Sequence, residues 1–219
     1  MDSDKLRVMV AMSSYWLVGN TLTKGLRIKD VLKDGSTDYL TMSDVQVYRH
    51  PIRECITNLS DVTLPKNKIE IVVVSLDQHE APTKRWNNFT AKAAFEAFAV
   101  VGNYCVQGKL HLSMAPSDSM QALTQYVESF FAITQATLSC PGMRQIRVPL
   151  LIANKQYVSC FHVGEFTDAK NSELERQSST QPKETDVEEN CIVQLLEELD
   201  GMRSEVDVSD PLSFDSAAR

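Results

Sequence analysis

The order of residues between Tyr15 and Val47 returns, diverged, between Tyr104 and Leu138, and this internal repeat constrains the fold more than any other feature of the chain. Tyr15 aligns with Tyr104, Gly19 with Gly108, Leu32 with Leu123, Tyr39 and Leu40 with Phe130 and Phe131, Met42 with Ile133, and Val45 and Val47 with Ala136 and Leu138. A closing hairpin repeats as well: VTLPKNKIEIVVV (Val62–Val74) stands beside PLLIANKQYVSCFHV (Pro149–Val163), with Asn67–Lys68 set over Asn154–Lys155. Each match alone is weak. Their common order points to tandem duplication of one module.

The module is written in a β rhythm. Leu6–Ala11 and Tyr15–Leu22 are apolar and β-branched around Ser13-Ser14, and Tyr39–Val47 carries apolar residues on both alternating faces, which predicts a largely buried strand. Ile28, Val31 and Leu32 have the spacing of a short helix closed by Asp34-Gly35; Met120, Leu123 and Val127 repeat it, with Ser117 or Asp118 as cap. Each copy therefore reads strand, strand, short helix, strand and two-stranded hairpin. The fold class expected is mainly β with short helices: a tandem duplication of a small five-stranded SH3-like or Sm-like barrel or sheet module, plus a disordered acidic tail. Modules of this size are marginal alone, so the two copies are expected to pack together. The boundaries are 1–76 for copy one, 77–94 for a connector containing Pro82, Lys84 and Arg85, 95–163 for copy two, and 164–219 for the tail. Phe89–Phe98 fits either a helix or, at its end, the first strand of copy two.

Charge divides along the same boundary. From Gly164 onward there are 15 acids and 5 bases, a net of −10, which leaves 14 acids and 17 bases for residues 1–163. A body at +3 argues against nucleic acid as partner; Lys84-Arg85-Trp86 and Tyr48-Arg49-His50, which interleave bases with aromatics, read as linker and loop. Cys55, Cys105, Cys140, Cys160 and Cys191 are odd in number and widely spaced, and read as reduced thiols. With acids near the start and no apolar run approaching the roughly 20 residues of a membrane span, a cytoplasmic protein without membrane insertion is expected. The oligomeric state is not encoded in any recognisable signal.

Two stretches carry a family likeness. The run RIKDVLKDGSTDYLTMSDVQV from Arg27 and the ending LLIANKQYVSCF from Leu150 resemble an uncharacterised bacterial domain family of unknown function, with a Gly-x-Leu-like turn, an Arg-Leu-Ser-Asp-x-Leu-like helix start and an Asn-Lys hairpin. Copy one keeps Arg27, Asp30, Leu32 and Asp44; copy two has Asp118 and Gln121 in place of Arg27 and Asp30, but keeps Asn154 and Lys155. The resemblance implies a non-catalytic accessory module and transfers no site.

No catalytic, metal or cofactor constellation rises above chance, so the chain reads as a non-enzyme with no cofactor. Arg49 and Arg53, followed by Asn58-Leu59-Ser60, resemble the arginine pair and Asn-x-Ser element of cyclic-dinucleotide-binding PilZ barrels, although the spacing is shorter and Thr63 replaces a glycine. Two guanidinium groups suit phosphate, so Arg49 and Arg53 are the alternative anion-binding residues of a cyclic-nucleotide or nucleic-acid sensor; a polar loop is the plainer reading. Cys160 and His162 share a strand face, which fits a core pair better than a nucleophile pair lacking a third group. In the tail, Asp186 and Glu189 form a helix start, Gly201 a stop, and Ile192, Leu195, Leu196 and Leu199 one apolar stripe over 187–200. That stripe needs a surface. The function expected is a non-catalytic interaction or adaptor protein, binding a protein partner through the tail helix or the module faces.

Overall fold

Both copies fold as the same five-stranded unit. The computed structural model describes residues 5–49, 54–74, 92–141 and 145–164. Copy one comprises β1 (Lys5–Met12), β2 (Tyr15–Leu22), helix α1 (Ile28–Lys33), β3 (Tyr39–Arg49), β4 (Glu54–Pro65), a 3-10 turn at Lys66–Lys68, and β5 (Ile71–Val74). Copy two comprises β6 (Ala93–Val101), β7 (Tyr104–Leu112), a helical turn α2 (Ser119–Gln121) continuing as a π-helical turn at Ala122–Tyr126, β8 (Phe130–Ser139), β9 (Ile146–Asn154), a 3-10 turn at Lys155–Tyr157, and β10 (Val158–Val163). Asp118 caps α2 as expected, its carboxylate accepting from the Gln121 N–H at 2.7 Å. Phe95 and Phe98 lie in β6, which resolves the open choice at 89–98 in favour of strand for the described part. No helix among the described residues is long and apolar enough to cross a membrane. Residues 50–53, most of the expected connector and the residues beyond Gly164 lie outside the described residues.

The ten strands form one antiparallel sheet in the order β10-β6-β7-β8-β9-β5-β1-β2-β3-β4. Within each copy the order is fifth, first, second, third, fourth. The units are not closed on themselves: β4 does not pair with β5, nor β9 with β10. Instead β5 pairs with β9, with Ile71 opposite Ala153, Val72 opposite Ile152, Val73 opposite Leu151 and Val74 opposite Leu150. All eight of these side chains are buried. A strand buried on both faces is apolar without alternation, which is how Ile71–Val74 and Leu150–Ala153 read.

The repeat is exact at its most demanding point. Gly19 faces Val8 and sits where the β2–β3 register shifts, and Gly108 faces Ala97 at the matching shift of β7 on β8. Across from them, Asp44 and Gln135 have φ of 54° and 49°, the left-handed backbone of a bulge residue. A methyl group on Gly19 would lie 2.9 Å from the Ser43 carbonyl, and one on Gly108 would lie 2.8 Å from the Thr134 carbonyl. Glycine is therefore required by close approach of the neighbouring strand.

The expected overlay of Asn67 on Asn154 is displaced. Asn154 stands opposite Phe130 as Pro65 stands opposite Tyr39, so Asn154 corresponds to Pro65 and Lys155 to Lys66. The repeated chemistry is the lysine. Lys66 Nζ donates to the carbonyl of Asp34, the residue that ends α1 (2.7 Å), and Lys155 Nζ to that of Val127, which ends the π-helical turn (3.1 Å). Each ammonium satisfies an orphan helix-terminal carbonyl.

Two hydrophobic clusters fill the molecule, and each draws on both copies. One combines the inner face of copy two with Met9, Ala11, Trp16, Val18, Ile71 and Val73 from the outer face of copy one. The other combines the inner face of copy one with Phe130, Leu150 and Ile152 of copy two. Burial of the seven large side chains of the β5–β9 joint contributes on the order of 10 kcal/mol, an upper-bound figure for area removed from water.

Candidate functional site

The two copies meet in an open cleft of about 740 Å³ beside the 3-10 turns, with Leu32, Tyr39 and Phe130 supplying apolar surface and Asp34, Lys66 and Lys155 polar groups. Lys66 and Lys155 are committed to carbonyls, and Lys66 Nζ also bonds Thr37 Oγ1 at 3.2 Å. They hold the walls. Near the cleft, Glu128 just before β8 takes Lys29 and Lys33 of α1 at 2.6 and 2.5 Å, clasping copy two to copy one. Partial burial acts to raise the Glu128 pKa, but the two ammonium groups outweigh it and hold the carboxyl at about 2.

A second polar cluster brings buried side chains of both copies together. Trp16 Nε1 of copy one donates to the Tyr104 hydroxyl of copy two at 2.6 Å. Burial, reinforced by the charges of Cys140 and Glu70 and opposed by the indole bond, pushes the Tyr104 phenol up to about 12. Tyr15 and Tyr104 hold equivalent positions, yet Tyr15 is 44% exposed and Tyr104 0%. The joint covers one copy's tyrosine and leaves the other's in solvent.

Glu70 enters this cluster at the start of β5. Its Oε1 accepts the Ser13 N–H at 3.0 Å, while Oε2 is buried with no hydrogen-bond partner among the described residues. Burial pushes the carboxyl above the usual range, against the single Ser13 bond. Gly102 closes over it: a Cβ there would fall 2.4 Å from Oε2, and its φ of +56° is left-handed, so two independent constraints call for glycine. The backbone around Glu70 is tied to both copies, its N–H to Ala11 and its carbonyl to the Asn154 N–H.

The residues singled out in the sequence are scattered. Arg49 is exposed at the end of β3, and Arg53 lies outside the described residues. Asn58-Leu59-Ser60 belongs to strand β4 and not to a loop; Asn58 faces Gln46, three positions along β3 from Arg49. Cys160 and His162 share a face of β10 as expected, but both are exposed, which corrects the core-pair reading. Phe161 and Val163 alternate with them and take the core side. Ile192, Leu195, Leu196 and Leu199 lie outside the described residues. Sequence reasoning missed Glu70, Trp16, Tyr104 and the lysine caps. The signal for the joint was present, since Ile71–Val74 is unbroken in apolarity where its copy-two counterpart Cys160–Val163 alternates.

No family model matches the chain, and neither a curated protein nor a solved structure matches it.

Proposed function

We propose that this chain is a non-catalytic interaction protein, in which the paired β modules form a rigid platform and the helix expected at 187–200 recruits a protein partner. The observation that carries the reading is the joint between the copies. Eight buried side chains, an indole–phenol bond and the Glu128 clasp fix one module on the other, and the rigid surface so made leaves Ile56 and Leu59 of the outer strand β4 exposed. Exposed apolar residues on a strand with one free edge favour contact with another protein. The cleft fits the same use, because its ammonium groups are occupied internally and its walls are mixed apolar and polar. Cys55, Cys105, Cys140 and Cys160 are unbridged, in keeping with work in a reducing cytoplasm.

The test is capture from the native host with the full chain and with its Leu195→Ala/Leu196→Ala variant. The reading expects the melting temperature of the body to be unchanged and specific partners to be lost. Recovery of the same proteins by both chains would remove the tail helix from the recruiting role, and a marked fall in melting temperature would assign it to the body's core.

A further inference from the structure

Among the described residues, β4 and β10 are the strands with a single neighbour, and they are the counterparts of the two strands that form the internal joint. The correspondence is fixed by register. Ile71 and Cys160 stand opposite Ala11 and Val100, and Val74 and Val163 opposite Val8 and Ala97, so β10 is the copy-two version of β5. Val62 and Leu151 stand opposite Met42 and Ile133, and Leu64 and Ala153 opposite Leu40 and Phe131, so β4 is the copy-one version of β9.

We propose that β4 of one molecule pairs antiparallel with β10 of a second copy of this chain, repeating the internal β5–β9 joint with Leu64 opposite Cys160, Thr63 opposite Phe161, Val62 opposite His162 and Asp61 opposite Val163. The side chains around these edges support the pairing. Leu59 is 41% exposed where its counterpart Val148 is 4%. On the other edge, Cys160 is exposed and Val100 half-buried where Ile71 and Ala11 are buried. What the joint covers in the middle of the molecule is what stands uncovered at its ends.

The external joint is weaker than the internal one. Asp61 and Thr63 replace Leu150 and Ile152, His162 replaces Val73, and Pro65 lacks the N–H that Asn154 donates to the Glu70 carbonyl at 2.9 Å. Polar substitutions and a proline weaken an edge, and on β10 the Val163 N–H already donates to Ser119 Oγ of α2 at 2.9 Å, a bond that pairing with Asp61 must exchange. Association is therefore reversible and concentration-dependent, and because the two edges differ it is head-to-tail, giving rings or short filaments. The pairing is independent of which protein the tail recruits.

Sedimentation velocity of the full chain from about 1 to 200 µM, the range suited to a small interface, tests this. The weight-average sedimentation coefficient should rise with concentration. The variants Leu59→Lys/Thr63→Lys and Cys160→Lys, all at exposed positions, should each stay monomeric, while their equimolar mixture should form a dimer, because each retains one intact edge. A wild-type chain that stays monomeric throughout, or a mixture that associates no more than its components, overturns the proposal. So does a Cys160→Lys chain that associates like wild type, the result expected of β4 pairing on β4. Register is read by oxidising Val62→Cys with His162→Cys: a crosslinked heterodimer should form in the mixture beyond that from native thiols in either variant alone, and its absence in an associating mixture overturns the register.

Discussion

Replacing Gly108 by alanine would place a methyl group 2.7 Å from Ile133 Cγ2, 2.8 Å from the Thr134 carbonyl oxygen and 2.9 Å from Ala136 Cα. Two of these three atoms are backbone, so the neighbouring strand itself must shift. Overpacking of this kind costs about 1–3 kcal/mol, and the gain from removing a glycine within a strand, about 0.5–1 kcal/mol, offsets only part of it. The corresponding contacts at Gly19 are 2.9, 2.9 and 3.2 Å, so Gly19→Ala should cost somewhat less. For a folded body of this size each kcal/mol lowers the melting temperature by about 2–4 °C. Circular-dichroism melts and urea titrations should show both variants displaced in the same direction, Gly108→Ala more, each with a single transition because both cores draw on both copies. If either substitution were neutral, the close strand approach at that bulge would be refuted. If only one half of the molecule melted early, the shared cores would be refuted.

Changing Glu70 to Gln removes the ionisation that burial disfavours while keeping an acceptor for the Ser13 N–H, and should remove the pH dependence of stability that the raised carboxyl imposes. A raised folded-state pKa makes the wild type lose stability as pH rises from about 4.5, the ordinary value, through the folded pKa; the variant's stability should be flat across that window, read by urea titration at a series of pH values. Glu128 has the opposite sign: its depressed pKa contributes stability that is present above about 4.5 and lost as pH falls toward about 2, and Glu128→Gln should abolish that acid limb. Because the clasp is partly exposed and screened, the change at pH 7 should be only a few tenths of a kcal/mol up to about 1, and smaller in high salt. Trp16→Phe withdraws the indole donor from the Tyr104 hydroxyl and should cost about 1–3 kcal/mol by chemical denaturation, with a single transition retained.

Much of the module was legible in the sequence because its demands are local. Gly19 and Gly108, the alternation of β3 and the Asp118 cap each follow from steric or periodic rules acting within a few residues. The joint is different. Its partners, β5 and β9, come from different copies, and nothing in the residues of one strand names the strand beside it. The unbroken run Ile71–Val74 signalled burial on both faces but not what buried them. The hairpin was read two positions out of register because Asn67 and Asn154 look alike, whereas the repeated function belongs to Lys66 and Lys155 and depends on a carbonyl that the preceding helix or turn leaves unpaired. Cys160 and His162 read as a core pair because cysteine is commonly buried and no third catalytic group accompanies them, whereas β10 is an outer strand that leaves both in solvent. As for the site, Glu70, Trp16 and Tyr104 acquire their character from burial between copies, which a linear reading does not contain.

Amide hydrogen exchange of the full chain tests the central claim, that the two copies are joined into one cooperative sheet through β5 and β9. The ladder amides of Ile71–Val74 and Leu150–Ala153 should be among the slowest to exchange, opening only with global unfolding, while the outward amides of β4 should exchange rapidly at low protein concentration. Joint amides that exchange as fast as the outward amides of β4, with the copies opening independently, would contradict it.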